Sequence, residues 1–253
     1  ITSSFVDITS LEAVENAITS ETKMIYCEAI SNPLLEIADI AELSKIAKKH
    51  NVLLVVDNTF SPLIISPQKL GADVTIHSLT KFINGTNDTV GGVVCGSQEF
   101  IDSLRNVNNG AAMLLGPVMD SFRAASILKN LRTLHIRMKK HSENALHLAE
   151  NFEDDGLKVV YPGLKSHPGY ELFKTMYNQE YGFGGILTID VGNLDKANEL
   201  MELMQNENLG YLAVSLGFYK TLFSAPGTST SSEIPEEEQI EMGLSDGIIR
   251  FSI

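Results

Sequence analysis

Apolar positions along this chain fall into two rhythms. Short unbroken runs alternate with stretches in which apolar residues recur every three or four positions. The first rhythm reads as strands buried on both faces, the second as amphipathic helices. A run over 52–56 stops on Asp57, and a run over 72–76 stops on His77-Ser78-Leu79-Thr80-Lys81. Ahead of them the pattern predicts a helix from Thr9 or Ser10 through Ile18, with Glu12 and Glu15 near its positive end, and a strand over 23–28. Asn32-Pro33 breaks the chain. Asp39 and Glu42 then form a capping box for a helix that puts Ile40, Leu43, Ile46 and Ala47 on one face. Strand–helix–strand is the alternation of an α/β domain with right-handed crossovers. Ligands on such sheets gather beyond the carboxyl ends of the strands, so Asp57, Ser78, Thr80 and Lys81 are expected around one crevice.

Past Lys81, the glycines Gly85, Gly91 and Gly92 lead to a short strand over 93–95. Gly116-Pro117 starts a long helix, with Pro117 in its first turn, running past Ala149 with a bend. Beyond about residue 135 the character changes. Arg137, Lys139 and Lys140 precede strands over 157–161 and 186–191, a helix over 194–204 and a strand over 211–215. A Ser/Thr-rich loop over 228–232, a short acidic helix at Pro235 and a final strand over 248–253 close the sequence. A domain boundary is placed inside the long helix, giving units 1–132 and 133–253. No internal repeat is visible.

Composition narrows the partners. The 253 residues are 43% hydrophobic and 20% charged, enough for one or two domains with a real core. A net charge of −13 argues against nucleic acid or anionic membrane as partner, and its plain meaning is solubility. Cys27 and Cys95 lie in apolar runs and read as small buried hydrophobes, which fits a reducing cytoplasm. No apolar run is long enough to span a membrane, and no basic-then-apolar leader is seen. The histidines, among them His77, His135, His141 and His147, show no ligand spacing with Cys or Asp, so no metal is expected.

The strand-end residues carry a specific chemistry. A lysine can form a Schiff base with an aldehyde, provided that desolvation or nearby charge keeps its amine neutral. A carboxylate can pair with a protonated ring nitrogen. Two hydroxyls on alternate residues, Ser78 and Thr80, point the same way and can meet one phosphate, although turn capping is the simpler use of such residues. Aldehyde, pyridine nitrogen and phosphate together describe pyridoxal 5′-phosphate (PLP). A run such as LLVVD can also be the magnesium strand of a P-loop NTPase or carry a ribose-binding carboxylate. Neither G-x-x-x-x-G-K-[ST] nor G-x-G-x-x-G occurs here.

The segment SLTKFINGTNDTVGG at 78–92 resembles the cofactor-lysine signature of the Cys/Met-metabolism PLP enzymes, the cystathionine γ-synthases, cystathionine γ- and β-lyases and methionine γ-lyases. EAISNP at 28–33, VVDNTF at 55–60, LAVSLGFYKTL at 212–222 and LSDGIIRFSI at 244–253 resemble further segments of that family in the same order. The resemblance implies a fold-type I, aspartate aminotransferase-like α/β architecture: a mainly parallel sheet domain and a smaller α+β C-terminal domain. It implies Lys81 as the Schiff-base lysine and, once displaced, the proton shuttle. It implies Asp57 at the ring nitrogen, Ser78 and Thr80 at the phosphate, Asn32 at the phenolic oxygen and Thr59 near the ring. Arg250 is expected to grip the substrate α-carboxylate, helped by Ser215. Val214 stands where cystathionine-handling relatives tend to carry a glutamate, and an apolar residue suits a thioether leaving group.

The activity so implied is a PLP-dependent carbon–sulfur lyase with γ-elimination of methionine to 2-oxobutyrate, methanethiol and ammonia. The alternatives within the family are a cystathionine γ-lyase, a cystathionine γ-synthase or a homoserine-ester sulfhydrylase. A third is an inactive truncated relative that serves only as a binding partner. Compared with the family the chain reads as a fragment. It lacks an N-terminal part that normally carries a phosphate loop, a ring-stacking tyrosine and a Tyr/Arg pair for the neighbouring site, and it stops after RFSI. By resemblance a cytoplasmic homotetramer, a dimer of dimers sharing sites, is expected. Departures from the pattern are Ile30 for a proline, Thr86-Asn87 for a histidine-containing pair and Tyr170 for a histidine.

Overall fold

A computed structural model describes residues 2–227, 229 and 234–253. The first half holds α1 (Leu11–Asn16), β1 (Met24–Glu28), α2 (Ile40–His50), β2 (Leu53–Asp57), β3 (Val74–Ser78) and β4 (Gly92–Gly96). The strands form one sheet in the order β1-β2-β3-β4. The first three are parallel and β4 runs antiparallel. In β2, Leu54, Val55 and Val56 are all buried, as an unbroken apolar run requires. The edge strand β1 instead alternates, with Ile25 and Cys27 buried and Met24 and Tyr26 exposed. The register sets Glu28 beside Asp57 and Asp57 beside Ile76, so the chemistry-bearing residues share the carboxyl edge. Both cysteines are free.

Local signals explain the helices. The Ser10 hydroxyl caps α1. The Asp39 carboxylate accepts from the Glu42 N–H at 3.0 Å and starts α2, whose Ile40, Leu43 and Ala47 pack inward. Only half of the expected capping box forms, because the Glu42 carboxylate pairs with Lys45. The single, bent helix expected from Gly116-Pro117 past Ala149 is two helices. After α3 (Gln98–Leu104) and α4 (Ala111–Leu115), α5 spans Ser121–Leu131 and α6 spans Leu134–Asp154. Pro117 does not open a helix. The Asp120 carboxylate does, accepting from the N–H groups of Phe122 at 3.1 Å and Arg123 at 3.0 Å. A side-chain cap that satisfies two orphan donors outweighs the preference of proline for a first turn.

The second half adds β5 (Lys158–Val160), α7 (Tyr170–Met176), β6 (Ile186–Asp190), α8 (Leu194–Asn206), β7 (Tyr211–Leu212), β8 (Leu222–Ser224), α9 (Glu236–Glu241) and β9 (Ile248–Ser252). Its sheet runs β5-β6-β9-β8-β7, antiparallel except for the β7–β8 pair. The strand expected over 211–215 stops at Leu212, since the carbonyls of Val214 and Ser215 turn to Arg250 instead. Of the Ser/Thr-rich loop over 228–232, only Ser229 lies within the described residues. Each sheet has its own core. One gathers Leu54, Val56 and Phe82, the other Tyr161, Leu187, Ile249 and Phe251. The first core also recruits Leu134, Met138 and Phe173 from beyond the break between α5 and α6.

Candidate active site

Lys81 sits in the π-type turn Leu79–Ile83, directly after β3, at a kink where its own backbone leaves the helical region (φ −87°, ψ −129°). Arg137 of α6 holds that turn. Its guanidinium donates to the Phe82 carbonyl and, at 2.9 Å, to the Ile83 carbonyl. Gly85, at φ 77°, is required here, because a Cβ would come within 2.5 Å of the guanidinium. The turn also corrects the reasoning about Ser78 and Thr80. The strand ends at Ser78, so alternation no longer aligns the two side chains. The Thr80 hydroxyl accepts from the Gly91 N–H at 3.1 Å, whereas the Ser78 hydroxyl has no partner among the described residues.

The Lys81 amine donates to Ser215 Oγ at 3.0 Å. Burial, and then the nearby Arg250 cation, lower its pKa. That is the bias toward the neutral amine which an imine-forming lysine needs. Asp57 ends β2, and both of its oxygens are held. Oδ1 accepts from the Thr59 N–H at 2.9 Å and Oδ2 from the Tyr26 hydroxyl at 3.3 Å. Burial, reinforced by Asp57, pushes the Tyr26 phenol up to about 12, so it remains a donor. Thr59 Oγ1 accepts from the Ser78 N–H at 2.8 Å and thereby ties the Asp57 turn to the segment that carries Lys81.

Arg250 lies mid-strand in β9 and is 2% exposed. Nη1 donates to Asn32 Oδ1 at 2.9 Å, and Nη2 to the carbonyls of Val214 at 2.9 Å and Ser215 at 3.2 Å. A longer contact reaches Ser224 Oγ at 3.4 Å. Nε is buried without a partner. Burial lowers the guanidinium to about 10, so it stays charged near neutral pH. Among the described residues no carboxylate pairs with it. A buried cation held only by neutral dipoles is costly unless an anion meets it. The Glu28 carboxylate accepts from the Asn32 N–H at 2.8 Å, which places Asn32 between the two sheets. Burial raises the Glu28 pKa, opposed by that hydrogen bond and helped by Asp57. The Asn32 amide nitrogen has no protein partner among the described residues.

Asp57, Thr59, Ser78, Lys81, Ser215, Arg250 and Asn32 thus form one connected edge where the two sheets meet. Val214 joins it through its carbonyl, while the residue as a whole is 57% exposed. The residues suit PLP: an amine biased to neutrality, a fixed carboxylate, a free hydroxyl and amide, and an unpaired buried guanidinium. Sequence reasoning missed Tyr26, Glu28, Asn87 and Arg137. Glu28 ends β1 as Asp57 ends β2, and Tyr26 lies two residues earlier on the same face, so both had a signal. Arg137 had none, because it acts on a turn 54 residues away. Among the described residues no group of His, Cys, Asp and Glu could hold a metal, and no helix is long and apolar enough to cross a membrane.

Known proteins resemble this chain along its whole length. The sequence profile of the Cys/Met metabolism PLP-dependent enzymes matches residues 1–253. A methionine γ-lyase of Arabidopsis thaliana is 47% identical over 100% of this chain and 58% of its own length. A cystathionine γ-lyase of Bacillus subtilis is 41% identical over 100% of this chain and 65% of its own. The crystal structure of cystathionine γ-lyase from Lactobacillus plantarum complexed with L-serine superposes with a TM-score of 0.88 at 31% identity, over 99% of this chain and 64% of that one. That of cystathionine γ-synthase from Xanthomonas oryzae pv. oryzae, in complex with aminoacrylate and cysteine, gives 0.89 at 35%, over 98% and 62%. The chain therefore spans 58–65% of the length of these relatives. Its architecture is the fold-type I α/β fold of those structures. With a family match over every residue and relatives above 40% identity, the chain belongs to the PLP-dependent enzymes of Cys/Met metabolism.

Proposed function

We propose that the protein is a carbon–sulfur lyase that removes the γ-substituent of a sulfur amino acid, with methionine as substrate and 2-oxobutyrate, methanethiol and ammonia as products. PLP, when bound, supplies the electron sink that makes the substrate Cα–H acidic. Lys81 would join the cofactor aldehyde, and its amine, kept toward neutrality, would then carry protons at Cα and Cβ. Asp57, steadied by Tyr26 and the Thr59 N–H, would keep the ring nitrogen protonated. Ser78 and Thr80 would hold the phosphate, the Thr80 hydroxyl giving up its contact with Gly91 to do so, and Thr59 would help hold the ring. Asn32 would bind the phenolic oxygen through its amide N–H while its side-chain carbonyl steadies Arg250. Arg250, with Ser215, takes the substrate α-carboxylate.

The observation that supports the site most strongly is Arg250: a buried cation, 2% exposed, with Nε unpartnered. The choice of methionine rests on apolar Val214 and on the plant relative, which is a methionine γ-lyase. The second reading, a cystathionine or homoserine-ester enzyme, is supported by the Bacillus subtilis relative. Release of 2-oxobutyrate from methionine faster than from cystathionine supports the first reading, and the reverse order rejects it. We also propose a cytoplasmic homotetramer, a dimer of dimers, with a division of each chain at 132/133. Leu115 and Phe122, 82% and 87% exposed, give α4 and α5 an apolar face for a second copy. Sedimentation that shows a monomer would reject the assembly.

A further inference from the structure

Ser215 serves both halves of the site. Its backbone carbonyl takes Arg250 Nη2, and its hydroxyl oxygen accepts from Lys81 Nζ at 3.0 Å. The hydroxyl proton goes elsewhere, to Asn87 Oδ1 at 3.1 Å. A hydroxyl has one proton, and an amide oxygen can only accept. Asn87 therefore commits the Ser215 proton and leaves lone pairs facing Lys81. Asn87 itself is held in place. Its backbone is left-handed at φ 53°, where Asn is among the few side chains at ease. The flanking Asp88 carboxylate accepts from Asn84 Nδ2 at 2.9 Å and from the Thr86 hydroxyl at 2.7 Å. Asn130 of α5 donates to Asn84 Oδ1 at 2.9 Å and Thr86 Oγ1 at 3.2 Å, which clamps the loop from behind. A loop braced this way presents one acceptor to one hydroxyl.

We propose that Asn87 is a positioning residue, which keeps the Ser215 hydroxyl an acceptor and so fixes how the Lys81 amine is presented. The inference rests on Lys81 being the cofactor lysine, but its test does not need cofactor. An acceptor beside an amine favours the ammonium form. A freed hydroxyl turns its proton to the amine lone pair and favours the neutral form. The charged group that faces Lys81 is Arg250 of β9, which remains unchanged in the variants below. Loss of the Asn87 carbonyl should therefore lower the pH at which Lys81 becomes nucleophilic, and a carboxylate there should raise it.

Competitive acetylation of the 253-residue chain, prepared without cofactor and read by peptide mass spectrometry across pH, measures that midpoint. Exposed Lys23 and Lys196 serve as references. Asn87→Gly keeps the left-handed backbone and deletes the acceptor. The Lys81 midpoint is expected to fall by about half a pH unit, roughly threefold in proton affinity. Asn87→Asp is expected to raise it. In a Ser215→Ala background, Asn87→Gly should add nothing further. A midpoint that stays or rises in Asn87→Gly overturns the proposal, as does an undiminished fall without the Ser215 hydroxyl. Unfolding would raise Lys81 toward the reference lysines, opposite in sign to the expected shift. Cofactor absorbance, measured separately, decides the lysine assignment. Its absence with the acetylation shift intact sinks that assignment alone.

Discussion

The two sheets carry their chemistry in opposite ways. On the mainly parallel sheet, Glu28, Asp57 and Ser78 stand at strand ends, and their partners lie 2 to 31 residues away on the same sheet or the turns that follow its strands. On the antiparallel sheet, Arg250 lies in the middle of β9, fully enclosed, and its partners lie 26 to 218 residues away. A strand end is a place where polar groups reach a crevice while only partly buried. A mid-strand cation is buried by the sheet itself and must be supplied with acceptors by the whole fold. Neighbouring strands therefore set the strand-end group, and assembly of the whole fold sets the enclosed arginine.

The largest expected effect tests the enclosed side. If Arg250 takes the substrate α-carboxylate as proposed, Arg250→Ala removes charge-assisted hydrogen bonds worth about 1.5–3 kcal/mol each, so KM for the amino acid should rise on the order of a hundredfold or more. Arg250→Lys should recover little, because a point charge cannot replace the fork. A KM change below about tenfold would erase the contrast drawn here. Next comes the turn between the sheets. Arg137→Ala leaves the carbonyls of Phe82 and Ile83 without their charged donor and should cost about 1.5–3 kcal/mol in denaturant unfolding. An unchanged midpoint would mean that the turn holds itself.

The coupling between the halves is electrostatic, and its sign can be read. Burial and then Arg250 lower the Lys81 pKa in the folded chain. Between that lowered value and the model-peptide value of 10.5 the unfolded chain binds more protons, so stability from this group rises with pH through that window. Lys81→Met should flatten the rise, and Arg250→Met should narrow the window by moving the Lys81 midpoint partway up. Unfolding measured across this range checks both, and an unchanged slope in Lys81→Met would contradict the assignment of the rise. The smallest effect belongs to the strand-end side. Tyr26→Phe deletes one half-exposed hydrogen bond to Asp57 and should weaken cofactor affinity by about 0.5–1.5 kcal/mol, severalfold in Kd. An effect as large as that of Arg250→Ala on KM would show that the strand-end side depends on single partners after all.

The same contrast explains what could be read in advance. The apolar runs that end on Asp57 and just before Ser78 are properties of adjacent residues, and the parallel sheet follows from them. Lys81, Asp57 and Ser78 gather where strand ends predict. The π turn at Leu79–Ile83 could not be read, because Arg137 holds it from the distant α6. Strand alternation therefore misjudged Thr80. The start of α5 was obscured by Pro117, whose preference lost to the Asp120 cap. β8, only three residues long, has no period to detect, and its place is fixed by pairing with β9. Arg250 was found through resemblance alone, since nothing in an isolated strand says that its arginine is buried.

One measurement bears most directly on the claim that Lys81 is the lysine joined to the cofactor. The chain is incubated with PLP, reduced with borohydride, digested and mapped by mass spectrometry. The expected result is a phosphopyridoxyl adduct on the peptide containing Lys81, and its loss in Lys81→Ala with no gain elsewhere. An adduct spread over exposed lysines such as Lys45 and Lys49, with Lys81 unmodified, would contradict it.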